Sequence, residues 1–193
     1  MTVRVWMPSG KYPNKHVGIY CKATTARYEK LKFIEGQPIE LDHEIKFTFD
    51  ESRLDQLGKL GCLWTNINPP LVNGIIGDVL SEFARTEVQL FRAYVAAKDG
   101  ETRDYYLVNV TRSVHCLDYE KSIIDSFWDD GRPRSITKLR FKDDGCLQDC
   151  SIARLKEYLP TILVSEGIYR ALSKLKYKGL YFEFDSDSDG RRF

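Results

Sequence analysis

Apolar and polar positions alternate most regularly near the middle of the chain. Val88 to Ala97 and Tyr105 to Val110 read as extended segments, and Asp99-Gly100 between them is turn chemistry, so the pattern predicts an antiparallel hairpin. Tyr106, Val108 and Val110 share one face of the second arm while Tyr105 and Leu107 take the other, which places that arm centrally in a sheet covered on both sides. Ahead of it, Val72, Ile75, Ile76, Val79, Leu80 and Phe83 recur at helical spacing and predict a core helix after Pro70. Gly74 and Gly77 weaken that helix by roughly 1 kcal/mol each relative to alanine, a loss that packing has to offset. Shorter extended candidates lie at Val3 to Trp6, around Val17 to Cys21, at Ser113 to Leu117 and at Ile152 to Leu155.

The last third reads as a strand, Ile162-Leu163-Val164, then a helix capped by Ser165, then a closing strand, Leu180-Tyr181-Phe182-Glu183-Phe184. Ile168, Ala171, Leu172 and Leu175 form the apolar side of that helix, and Gly179 is expected to stop it. Arg170, Lys174, Lys176 and Lys178 gather toward its C-terminal end, where cations suit the helix dipole. Asp129-Asp130-Gly131-Arg132-Pro133 and Asp143-Asp144-Gly145 are loops. The expected fold is therefore α+β, a mixed and mostly antiparallel sheet with a few packed helices. It is read as one domain over residues 1–193, in which residues 1–46 are the least legible part and residues 185–193 form an acidic flexible tail.

Composition removes several function classes. A chain of 193 residues that is 42% hydrophobic and 12% aromatic can bury a sizeable core. Its 29 basic and 28 acidic residues give a formal charge of +1, so no global field draws it to nucleic acid or to an anionic membrane. Neither a secretory leader nor an apolar run of membrane-spanning length is present, and a cytoplasmic protein is expected. Cys21, Cys62, Cys116, Cys146 and Cys150 are odd in number and show no CxxC spacing, which points to reduced thiols. Cys146 and Cys150, four apart, could form a facultative redox pair, although a flexible acidic turn explains both equally well.

Candidate chemistry is sparse. His115-Cys116, with Asp118 two residues on, suggests a nucleophilic dyad, but neighbouring side chains of an extended segment point to opposite faces. The plainer reading makes Cys116 a core residue and His115 a half-buried strand residue. His16, His43 and His115 stand at no metal-ligand spacing, and neither a metal nor a cofactor is expected. Ser9-Gly10-Lys11 lacks the first glycine of a phosphate loop. Asp185-Ser186-Asp187-Ser188-Asp189-Gly190 opens like a calcium loop, but the chain stops at Phe193 before the closing glutamate. Lys22, Arg27, Lys30 and Lys32, interleaved with Tyr28 and Phe33, match a basic-aromatic binding run and equally a solvated face. Trp128 beside Asp129-Asp130 is an aromatic next to carboxylates in a loop, which could anchor a basic partner.

Three segments together resemble a known family. They are Pro70-Leu71-Val72-Asn73, then Tyr105-Tyr106-Leu107-Val108-Asn109-Val110 with Leu117-Asp118-Tyr119-Glu120-Lys121-Ser122, and finally the stretch from Ile162 to Phe184. Their order and spacing are similar to immunity protein family eleven of the bacterial polymorphic toxin systems, formerly a domain of unknown function. The resemblance runs from about Phe47 to Phe184, with Asn73 where a serine is expected, and leaves the first forty or so residues unmatched. It implies a non-enzymatic protein that binds and neutralises a cognate toxin. Trp128, Asp129 and Asp130, with Asp185, Asp187 and Asp189 as a second patch, are the residues expected to meet that toxin. The alternatives are a small α+β enzyme using Asp118, Glu120 and His115, or a ligand- or nucleic-acid-binding module.

Overall fold

Tyr105 and Leu107 enter one apolar cluster and Val108 and Val110 another, so the central strand is covered on both faces as its alternation predicts. The computed structural model describes residues 3–9, 11–21, 26–142 and 145–184, with the backbone alone for 26–30. Thirteen strands appear among them. In chain order they are β1 (Arg4–Trp6), β2 (Ile19–Tyr20), β3 (Ile45–Phe49), β4 (Cys62–Leu63), β5 (Leu71–Asn73), β6 (Val88–Ala97) and β7 (Gly100–Val110). After these come β8 (Ser113–Val114), β9 (Ile123–Phe127), β10 (Pro133–Lys138), β11 (Ile152–Leu155), β12 (Ile162–Val164) and β13 (Phe182–Phe184). The helices are α1 (Ala26–Glu35), α2 (Leu54–Leu57), α3 (Gly74–Phe83) and α4 (Glu166–Lys174). The class is broadly α+β, with strand outweighing helix by 38% to 18%.

A six-stranded sheet runs β2-β3-β6-β7-β5-β4 and a five-stranded one runs β13-β1-β12-β11-β8. Among the described strands all pairings are antiparallel except β3 with β6 and β8 with β11, so the pairing is mixed and mostly antiparallel as expected, but it is divided between sheets where one sheet was expected. One face of the larger sheet buries Phe47, Val95, Tyr105 and Leu107 around Phe33 of α1. Its opposite face meets α3, α4 and the smaller sheet through Val72, Val108, Ile76, Leu80, Ile168, Leu172, Trp6 and Val164. On the far side of the smaller sheet, Val5, Leu163 and Leu155 pack on Leu117, Ile136 and Phe141. The alternation within β12 decides this division, since Ile162 and Val164 go to one cluster and Leu163 to the other.

Helices α3 and α4 each leave a strand through a side-chain cap. Asn73 Oδ1 accepts from the Ile76 N–H at 3.0 Å, and Ser165 Oγ accepts from the Ile168 N–H at 3.4 Å. Asparagine and serine satisfy the same orphan donor, so Asn73 does here what the expected serine would do. Two helix boundaries depart from expectation. Val72 belongs to β5, while Ile75 and Phe83 are 52% and 40% exposed, so the buried face of α3 is narrower than its periodicity suggests. Helix α4 ends at Lys174 and the chain turns at Lys176, which has a left-handed φ of 54°. Gly179 is therefore not the stop. It passes the backbone of β4, where an added Cβ would lie 2.5 Å from the Cys62 carbonyl oxygen at a φ of 89°.

Two arginines hold the layers together. Arg154 is fully buried and donates to the Phe33, Val110 and Leu159 carbonyls at 3.0, 3.0 and 2.9 Å, joining α1, β7 and the turn after β11. Burial lowers its pKa to about 10, which leaves it charged at neutral pH. Arg4 lies between the rings of Tyr169 and Phe184, 3.5 and 3.6 Å from their centroids, and its Nε donates to Glu166 at 3.2 Å. These contacts bind β1 to both α4 and β13.

Candidate partner-binding surface

Strands β9 and β10 form a separate two-stranded sheet beside the smaller sheet. One side is anchored, because Ile136 is buried and Ile124 partly buried against Leu117, Leu139 and Phe141. Period two then sends Ile123, Asp125 and Phe127 outward. Ile123, Phe127 and the adjoining Trp128 are each 53% exposed, and Tyr119 is 48% exposed. That is a concentration of large apolar side chains on one short segment. Asp125 is held among them by Ser135 and Thr137, whose hydroxyls donate at 3.0 and 2.8 Å.

The Trp128–Arg132 turn closes the hairpin. The Trp128 N–H donates to the Arg132 carbonyl at 2.8 Å, and Gly131 supplies a φ of 80°. Asp130 accepts from the Arg132 Nε at 2.8 Å and from its backbone N–H at 3.0 Å, and these bonds hold its carboxyl below the usual carboxylate range. The Arg134 guanidinium carbon stands 4.8 Å from the Trp128 ring centroid. The expected pairing of an exposed tryptophan with carboxylates is present, yet the loop carries its own counter-charges in Arg132 and Arg134. Asp129 is exposed. Asp185, Asp187 and Asp189, like Asp143, Asp144 and Lys22, lie outside the described residues.

A disulfide closes the base of this region. Cys116 and Cys146 are bonded with a Cα separation of 5.3 Å, while Cys21, Cys62 and Cys150 are free. The expectation of reduced thiols is corrected here, as is the suggested pairing of Cys146 with Cys150. The fold brings residues 30 apart in sequence together because the segments around Leu117 and Phe141 bridge in antiparallel fashion. His115 points away with its side chain 71% exposed, rather than half-buried, and faces Glu157 at 3.3 Å. Asp118 shapes the backbone. It accepts from the Lys121 and Glu120 N–H groups at 3.0 Å each, which lowers its pKa and forms the turn. Among the described residues no cluster of His, Cys, Asp or Glu is arranged to hold a metal ion. Phe33, read as part of a basic-aromatic run or a solvated face, is buried and meets Phe91 edge to face.

A polar cleft of about 790 Å³ borders the hairpin, with Asp130, Glu157 and Glu35 facing Arg132, Lys142 and Lys156. Its charge is balanced. Sequence reasoning found Trp128 and its neighbours but missed Ile123, Phe127 and Tyr119. The signal available was the alternation from Ile123 to Phe127, in which isoleucine and phenylalanine flank an aspartate on one face.

Residues 9–185 match the profile of the Immunity protein family (Imm11). The chain belongs to the Imm11 immunity protein family. The match takes in β2, α1 and β3, so from residue 9 onward the N-terminal part left outside the sequence resemblance lies within the Imm11 family region. No curated protein matches the chain. No helix among the described residues is long and apolar enough to cross a membrane.

Proposed function

We propose that this protein neutralises a cognate protein toxin by binding it, with Ile123, Phe127 and Trp128 at the centre of the contact and Asp129 and Asp130 at its rim. The row of half-exposed apolar side chains on β9 and its turn carries the reading. Such clusters on a soluble surface mark interaction sites, and aromatic anchors dominate binding energy. Asp185, Asp187 and Asp189 remain a second candidate patch. Inhibition acts by covering the toxin or fixing an unproductive conformation, so no catalytic side chain of this chain takes part. The product of an adjacent toxin-like gene is the partner to test. Co-purification with the wild type and its loss with the Phe127→Ser, Trp128→Ser double variant, folded by circular dichroism, supports the reading; undiminished co-purification of that variant removes the hairpin from the interface.

A cytoplasmic site of action is proposed with one added requirement. Disulfides persist in oxidising surroundings, so in the cytoplasm the Cys116–Cys146 bond is expected to be open. Alkylation of thiols at the moment of lysis measures this. Two protected cysteines would place the protein in an oxidising compartment instead.

A further inference from the structure

The outward face of β9 sets a carboxylate, Asp125, between the half-exposed side chains of Ile123 and Phe127. Asp125 is itself exposed. Its direction is fixed from β10, where Ser135 Oγ donates to Oδ2 at 3.0 Å and Thr137 Oγ1 lies 2.8 Å from both carboxylate oxygens. Each hydroxyl has one proton to give, so together they fill two of the roughly four acceptor sites of a carboxylate. The remaining sites are open to a further donor.

No cation of the hairpin answers this charge among the described residues. Arg132 is bound to Asp130 at 2.7 Å, Arg134 lies over the Trp128 ring, and Lys138 stands opposite Ile123 without an ion pair. Hydroxyl donors satisfy hydrogen bonds but bring no positive charge. Ile123 and Phe127 lie about 7 Å to either side of Asp125 on the same face, so a partner that covers both also takes water from the carboxylate. An ionised carboxylate withdrawn from water without a cation is strongly unfavourable, and a purely apolar partner is rejected at this point. A guanidinium suits the open sites better than an ammonium. Its planar fork gives two parallel N–H bonds to one carboxylate, and its weaker hydration makes it easier to bury.

We propose that Asp125 is the specificity-determining residue of the hairpin surface, and that the toxin presents to it an arginine ringed by apolar side chains. The inference rests on the hairpin being the toxin-binding face. It also divides the carboxylates of the region, since Asp125 lies inside the contact while Asp129 and Asp130 steer the approach from its rim.

The test uses the product of the adjacent toxin-like gene, immobilised, and reads binding kinetics for folded variants of the full chain. Asp125→Asn keeps the shape and one acceptor but removes the charge, and it should weaken binding by about thirtyfold or more, chiefly through faster dissociation. Should it fail to fold, Asp125→Thr, which suits a strand, takes its place. Alanine replacement of the toxin's arginines one at a time should find one whose loss costs wild type a similar factor and costs the Asp125 variant little more. A merely structural aspartate would not produce that non-additivity. Unchanged affinity of the folded Asp125 variant, or additive losses at every arginine, overturns the proposal. Phe127→Ser with Trp128→Ser separates the two levels of the reading. Binding lost there beside an unaffected Asp125→Asn keeps the hairpin as the interface and overturns the arginine alone, whereas undiminished binding of the double variant overturns both.

Discussion

The guanidinium of Arg4 stacks on the ring of Tyr169, 3.5 Å from its centroid, and thereby fixes the first strand of the smaller sheet to helix α4. Phe184 covers the other side at 3.6 Å. A planar cation between two rings gains from both faces, and lysine cannot reproduce that geometry. Arg4→Lys should therefore lower stability by about 1–2 kcal/mol although the charge is kept. Urea unfolding with an unchanged m-value measures it, and a midpoint equal to wild type would show that the stack contributes nothing.

Glu166 gives the same region a pH dependence. Arg170 first, and then Arg4, hold its carboxyl below its ordinary value of 4.5. A depressed carboxylate pKa adds stability that is fully present above the unfolded-state value and is lost as pH falls through the folded-state value. Wild type should thus lose stability below about pH 4.5. In Glu166→Gln that acid loss should be smaller. Parallel urea midpoints at pH 7 and pH 3 compare the two, and identical acid losses would refute the linkage.

Arg154→Met tests the buried clamp. Methionine matches the apolar stem but leaves the Phe33, Val110 and Leu159 carbonyls without a donor. Each buried unsatisfied group costs about 1–3 kcal/mol, so a loss of about 3 kcal/mol or more is expected. A variant within about 1 kcal/mol of wild type, in the range of an ordinary surface change, would mean that water replaces the guanidinium.

Ile76 and Phe182 separate core from edge. Ile76 is fully buried between α3 and the larger sheet, so Ile76→Ala should cost about 2–5 kcal/mol. Phe182 packs on Trp6 and Tyr169 from the edge strand β13 and is partly exposed, so Phe182→Ala should fall at the lower end of that range. Toxin binding should follow folding in both. A folded variant of wild-type stability that has lost binding would move its face into the interface.

For the hairpin, rim charges and buried anchors should separate kinetically. Asp129→Asn with Asp130→Asn should slow association and flatten its salt response, and the effect should be modest because Arg132 already pairs with Asp130. Trp128→Ala and Phe127→Ala should speed release. Surface kinetics at two salt concentrations distinguish the two, and unchanged rates in every variant would place the toxin on another face.

The hairpin of β6 and β7 was legible because both of its faces are apolar at period two, a signal that local sequence carries by itself. Ser165 was legible for a similar reason, since a cap is a short-range device. Helix boundaries were less so: Val72 fits the helical period of α3 by coincidence, and only its pairings with Tyr106 and Cys62 make it a strand residue. Arg154 gave no warning, because a charge inside Ile152-Ala153-Arg154-Leu155 reads as an outward position until its carbonyl partners arrive from α1 and β7. The Cys116–Cys146 pair depends on a contact across 30 residues that no local pattern encodes. Of the candidate site, the turn at Trp128 was visible through its composition. The exposure of Ile123 and Phe127 depends on which side of the hairpin the core takes.

The place of β1 in the smaller sheet bears on when this protein becomes competent during synthesis. Arg4, Val5 and Trp6 pair on one side with residues 162–164 and on the other with residues 182–184. Arg4 thus waits for partners 160 and 180 residues further along the chain. Such long-range pairing is slow to form, and a partial chain would leave one wall of the shared core open to solvent. A chain cut short before Ile162 lacks both strands that flank β1, so that side of the sheet forms only once residues 162–184 have been made.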